Sequence, residues 1–115
     1  MDELTSRLKR AAVLAETHGA LAPMSWAAAS RRDLIDGMLA ITEDQDGRLL
    51  AFVPRGGGLA VVIPVSNLVA MTKRASAFNT VVDVEFDSDD GRDTICIVGP
   101  RGRMKKIAAA AGHPL

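Results

Sequence analysis

VVDVEFDSDDGRDTICIV, residues 81–98, alternates more cleanly than any other part of the chain. Val82, Val84 and Phe86 alternate with Asp83, Glu85 and Asp87, the period of two that marks a strand with its apolar side in and its polar side out. Ser88-Asp89-Asp90-Gly91 has turn chemistry, and Thr94 to Val98 is a second apolar run, so the segment reads as an antiparallel hairpin. Upstream, Leu68 to Arg74 reads as a strand that would turn around Ala77-Phe78. Lys73 and Arg74 then fall nearly opposite Val82 and Asp83, where cross-strand ion pairing is worth tenths of a kcal/mol. Val65-Ser66-Asn67 joins this strand to Leu59–Pro64. Further back lie Arg48–Pro54, the turn at Asp44-Gln45-Asp46-Gly47, the strand Gly37–Glu43, and a run around Trp26 from Met24 to Ser30. Seven strands with connections this short favour an antiparallel meander, because parallel crossovers need a dozen or more residues.

Helical periodicity appears at both ends. Met104, Ile107, Ala108 and Ala111 share one face of a helix running from about Pro100 to Ala111, with Gly112 and Pro114 beyond its end. Met104 and Ile107 are expected to be buried against Phe52, Val84 or Phe86. Leu4, Leu8, Ala11, Ala12 and Ala15 form a stripe at helical spacing, which predicts a helix over residues 2–18 stopped by Gly19, with Asp2 and Glu3 at its positive end. The expected organisation is one domain over residues 1–115: helix 2–18, a strand body over about 24–98, and a helix over about 100–111. The fold class is mainly β with flanking helices (α+β), a strongly bent antiparallel sheet or partly open barrel of six or seven strands.

Composition narrows the function classes. Of 115 residues, 48% are apolar, enough for one core, but only Trp26, Phe52, Phe78 and Phe86 are aromatic. That scarcity argues against a stacking platform for single-stranded nucleic acid. Fourteen basic and fourteen acidic residues cancel, so no whole-protein field draws in nucleic acid or anionic membrane. No window reaches the 18 or so apolar residues of a membrane span, and the N-terminal residues lack a secretory layout, so the expected location is cytoplasmic. Cys96, the single cysteine, sits in an apolar run and reads as a buried reduced thiol.

Three segments bear a resemblance to a known family. GMLAIT at 37–42 followed by RLLAFV at 48–53, IPVSNLV at 63–69, and the helix around Met104 and Ile107 resemble bacterial pleckstrin-homology-like (PH/GRAM-like) domains, several of which also place a helix before the strands. The resemblance implies seven antiparallel strands closed by an amphipathic C-terminal helix, and a binding role. Lipid-binding relatives cluster Lys and Arg on the first two strands and the loop between them. Here only Arg31 and Arg32 lie in that region, beside Asp33 and Asp36, which removes the usual ground for phosphoinositide recognition.

The candidate sites divide by chemistry. His18 and His113 stand at predicted helix ends, Cys96 has no CxxC partner, and the serines lie in no nucleophile-elbow pattern, so neither a metal, a cofactor nor a catalytic residue is expected. The acidic tract Asp83, Glu85, Asp87, Asp89, Asp90 and Asp93 lacks the EF-hand order and reads as a solvated strand face. Gly56-Gly57-Gly58 lacks the Lys-Ser/Thr of a phosphate loop. Arg101, Arg103, Lys105 and Lys106 crowd the first turns of a helix, where the dipole disfavours cations. They read either as partners of the acidic strand or, with Arg31, Arg32 and Arg55, as a site for an anion. The leading expectation is a non-enzymatic binding module for a protein partner or its own copies, with Leu4, Leu8, Ala11, Ala12 and Ala15 as the interface. The alternatives are a binder of an anionic ligand (lipid headgroup, or with less support nucleic acid) and a structural subunit of a larger assembly such as a phage particle.

Overall fold

A computed structural model describes residues 3–115. The elements run α1 (Glu3–Arg10), β1 (Ala12–Ala22), β2 (Ile35–Asp44), β3 (Gly47–Pro54), β4 (Val61–Pro64), β5 (Leu68–Ser76), β6 (Asn79–Ser88), β7 (Gly91–Pro100) and α2 (Arg101–Ala110). Short 3-10 turns occupy Arg31–Asp33 and Val65–Asn67. All strand pairings are antiparallel, in the order β4-β3-β2-β1-β7-β6-β5. β4 and β5 are consecutive in the chain but do not pair, so the bent sheet stays open along that seam.

The hairpins expected from alternation form with their turns in place: β2 and β3 around Asp46-Gly47, β6 and β7 around Asp90-Gly91. Gly47 and Gly91 both take positive φ, the conformation for which a turn selects glycine. α2 lies across the concave face. Its Met104 and Ile107 are fully buried in one cluster with Leu39, Leu50, Phe52, Val82, Val84 and Ile97, and partly buried Phe86 packs against it.

The N-terminal third differs from the helical reading. α1 ends at Arg10, and Ala12 to Ala22 form a strand; the expected start at Asp2 lies outside the described residues. Ala11, Ala12 and Ala15 therefore do not share a helical face with Leu4 and Leu8. The reason is tertiary. Nine cross-strand pairs join β1 to β2, from Ala12↔Glu43 to Leu21↔Ile35, and that pairing overrides the high helix propensity of alanine. Gly19 is no helix stop. It faces Gly37 across the β1–β2 ladder, and a Cβ built on it would meet Val98 O at 2.5 Å and Leu39 Cδ1 at 2.7 Å. A Cβ on Gly37 would likewise run into Val53 O and the Phe52 ring, so both members of that pair sit where no side chain fits.

Met24–Ser30 is not a strand either. Its alanine run has no alternation to place on a pleat, and it folds into turns in which the Ala28 and Ala29 N–H groups donate to Ser25 O. Met24, Ala29 and Leu34 then pack over the convex face against Ala22, Val81 and Cys96. This cover explains a second departure: Asp83, expected on a solvated face, is buried. The Trp26 N–H donates to its Oδ1 at 2.7 Å and the Arg74 guanidinium to its Oδ2 at 2.8 Å, so the desolvated carboxylate is fully partnered. Cys96 lies directly across from Asp83, and burial together with that negative charge pushes its thiol up to about 11.

No helix among the described residues is long and apolar enough to cross a membrane.

Candidate functional site

β1 has two kinds of neighbour. On one side β2 pairs with it along nearly its whole length; on the other, β7 pairs only with Ala20, Leu21 and Ala22. From Ala12 to Gly19 the second side of the strand has no strand partner among the described residues, and alternate residues turn their N–H and C=O groups toward it. Beyond this free side runs α2.

The helix presents three faces to different surroundings. At 100° per residue, Met104, Ile107, Ala108 and Ala111 point into the core. Arg103, Lys106 and Ala110 follow one another at i, i+3, i+7 on the flank turned to β1, and Arg101 and Lys105 fall on the opposite flank. The four basic residues that the sequence groups together are thus divided in two. Between the β1-facing flank and the strand lies a cleft of about 570 Å³, walled by Val13, Leu14 and Glu16 on one side and Arg103, Lys106 and Ala110 on the other. A smaller depression of about 400 Å³ shares Glu16 and Arg103 and extends the cleft to His18 and Pro100. Val13 and Leu14 are 53% and 42% exposed. The register shift between Val13 and Ala15 marks a bulge, the device by which a strand re-aims a side chain.

Among the described residues, Arg103 and Lys106 form no ion pair, and neither do Arg101 and Lys105. The acidic strand that could have neutralised them is served from elsewhere. Arg74 holds Asp83, and Arg92 bridges Glu85 at 3.1 Å and Asp87 at 2.9 Å. Pairing of Arg74 with Asp83 is as the hairpin register implied; pairing of the α2 cluster with that strand does not occur. The basic flank therefore carries unneutralised charge beside exposed apolar side chains.

The other expected site residues do not join the cleft. Arg31 and Arg32 are exposed on the 3-10 turn between β1 and β2. Arg55 follows β3, where its N–H donates to Asp36 O, and lines a neighbouring depression that shares only His18 and Pro100 with the cleft's extension. Leu4 and Leu8 are partly buried on α1, which is tied to the end of β2 by a two-pronged Arg7–Asp44 contact, both distances 2.8 Å. That pair holds the Asp44 carboxylate at about 2, below its ordinary 3.8. Val13, Leu14 and Glu16 were hidden within an apparent helix, and only the β-branched Val13 and Thr17 and the following Gly19 hinted at a strand.

For chemistry, the described residues hold no group of three or more His, Cys, Asp or Glu side chains converging as metal ligands. The Cys96 thiol is fully buried and protonated at neutral pH.

No family model matches this chain, and no curated protein matches it. Among solved structures it is similar to the C-terminal domain of an unknown protein from Leishmania infantum, with a TM-score of 0.62 and 19% sequence identity. The match covers 96% of this chain and 90% of that one. At that identity the likeness concerns the fold alone.

Proposed function

We propose that the chain is a non-enzymatic, pleckstrin-homology-like binding module that takes a protein partner in the cleft between β1 and α2. The observation that carries this reading is the unpaired side of β1, where exposed Val13 and Leu14 face a basic helix flank free of intramolecular ion pairs. The family part of the reading is supported by seven antiparallel strands followed by an amphipathic helix that fills the concave side. The non-enzymatic part is supported by the protonated, covered thiol. Selection of random displayed peptides on the full chain tests the proposal, with an Ala110→Trp variant that plugs the cleft as the counter-target. Peptides enriched on the wild type and lost on the variant are expected; enrichment indifferent to the plug refutes the cleft as the binding site.

A second reading, an anion-binding surface, is favoured by one feature. Phe78 is 96% exposed at the tip of the β5–β6 hairpin, and its carbonyl accepts the N–H of Arg101. An exposed ring whose backbone is bonded to the start of the basic helix suits the boundary of an anionic bilayer. Sedimentation with phosphatidylserine vesicles, lost on Phe78→Ser with Arg101→Glu, would favour this reading over the cleft.

A further inference from the structure

The edges of the sheet differ in how they resist another strand. β4 is four residues long and ends in Pro64, which has no N–H to give. β5 carries Lys73 and Arg74 and two register shifts, at Leu68/Ala70 and Lys73/Ala75. Shortness, proline, bulges and charged side chains are the devices by which edges block unwanted pairing. The unpaired side of β1 has a bulge at Val13/Ala15 and one acid, Glu16, but no proline, lysine or arginine from Ala12 to Gly19. Its basic charge lies instead on the opposite wall, on Arg103 and Lys106.

The two walls run alongside each other for comparable lengths. His18 stands with Pro100 and Arg103, and Val13 with Ala110, so strand and helix are antiparallel. Six residues of strand span ~20 Å, and the helix from Pro100 to Ala110 rises ~15 Å. An extended segment laid between them would meet backbone hydrogen-bonding groups on one side and cations on the other.

We infer that the partner is an extended, acidic segment of another protein that adds as a strand to β1 between Val13 and His18, its Asp or Glu side chains paired with Arg103 and Lys106. This rests on the cleft reading above and specifies its occupant. Charge complementarity selects that occupant: the helix flank offers two cations that form no ion pair among the described residues, and the lining holds one acid, Glu16. A second copy of this chain fits less well. Meeting edge to edge along β1, two copies would bring two basic flanks together. Glu16 repels acids placed beside it and so sets the register of the incoming strand.

The test uses the full chain and a fluorescein-labelled peptide alternating Val and Glu, read by fluorescence anisotropy. Three controls are the same peptide with Lys for Glu, the Val-Glu peptide with alternate amides N-methylated, and phosphatidylserine vesicles. Saturable binding of the Val-Glu peptide is expected, weakening as salt is raised. The Lys peptide and the N-methylated peptide should bind at least tenfold more weakly. Amide exchange should slow on β1 between Val13 and His18 and stay unchanged on β5. Arg103→Glu with Lys106→Glu should reduce affinity at least tenfold with an unchanged melting curve; Arg103→Gln with Lys106→Gln serves if the reversal disturbs folding. Equal binding of the N-methylated or the Lys peptide, where Ala110→Trp still abolishes it, overturns the acidic strand while the cleft stands. Protection on β5, or vesicle binding that depends on Arg103 and Lys106 without peptide binding, overturns the inference in favour of the outer edge or a membrane. A mass in solution that doubles through β1 overturns it in favour of self-pairing. If no peptide binds and the plugged variant behaves as wild type, both readings fall.

Discussion

The two halves of β1 belong to one strand and have different surroundings. Ala20 and Leu21 pair with both β2 and β7, Ala22 pairs with β7 alone, and all three are buried. From Ala12 to Gly19 the same strand has only β2, and Val13, Leu14 and Glu16 face solvent. The buried half holds the two parts of the sheet together, since β2–β3–β4 and β7–β6–β5 meet only through it. The exposed half contributes one ladder and leaves its other side open. A strand can thus be indispensable to the fold and still be partly available for binding, provided the break falls at a defined point. Here the break falls near Gly19, where a side chain would run into the β7 backbone at Val98 and the Leu39 side chain of β2.

Removing the open half should cost the molecule most. Deleting residues 1–18 takes away α1 and most of the β1–β2 ladder, leaving Ala20–Ala22 as a stub between two half-sheets. The loss should exceed the ~5–15 kcal/mol that stabilises a domain of this kind, and circular dichroism should show no cooperative melt. A truncated chain that still melts cooperatively would mean that the open half is an appendage rather than part of the fold.

A gentler cut compares single positions on either side of the break. Gly19→Val forces side-chain atoms into Val98 O and Leu39, and overpacking of this kind costs about 3 kcal/mol. Leu14→Ser, on the open half, should change stability by less than about 0.5 kcal/mol while weakening any ligand of the cleft. Denaturant midpoints for the two variants check both numbers; equal destabilisation would erase the distinction between the halves.

How much of this was legible in the residues follows the same division. Every strand from β2 to β7 could be placed within a few residues, because alternation and Asp-Gly turns are local signals that the structure keeps. α2 was legible from the i, i+3, i+4, i+7 spacing of Met104, Ile107, Ala108 and Ala111. β1 was not. Alanine favours a helix locally, and Leu4, Leu8, Ala11, Ala12 and Ala15 happen to have helical spacing, whereas the forces that make residues 12–22 a strand come from β2 and β7. Asp83 misled for a related reason: its polar character was visible, but the turn at Met24–Ser30 that buries it was not. The basic residues of the cleft were legible as types and positions. Their division between two helix flanks, and the strand they face, depended on where β1 lay.

At its start the open half is held by a side-chain clamp. α1 leads directly into β1, and Arg7 clamps it to Asp44 at the far end of β2. The guanidinium's hydrogen bonds lower the Asp44 carboxyl from 3.8 to about 2, so this group binds its proton more weakly in the folded chain than in the unfolded one. A depressed acid contributes stability that is fully present above the unfolded value and fades as pH falls through the folded one. The clamp should therefore be intact at pH 5 to 7, weaken below about pH 4, and be gone near pH 2. Melting temperatures of wild type and Asp44→Asn should differ modestly at neutral pH, with wild type higher, and converge as the solution is acidified toward pH 2. Amide exchange in α1 and at Ala12 should quicken in the variant at neutral pH and leave Ala20–Ala22 unchanged, because only the open half hangs on the clamp. A gap that widens in acid would reverse the sign argued here, and faster exchange at Ala20–Ala22 would show that the two halves of β1 respond as one.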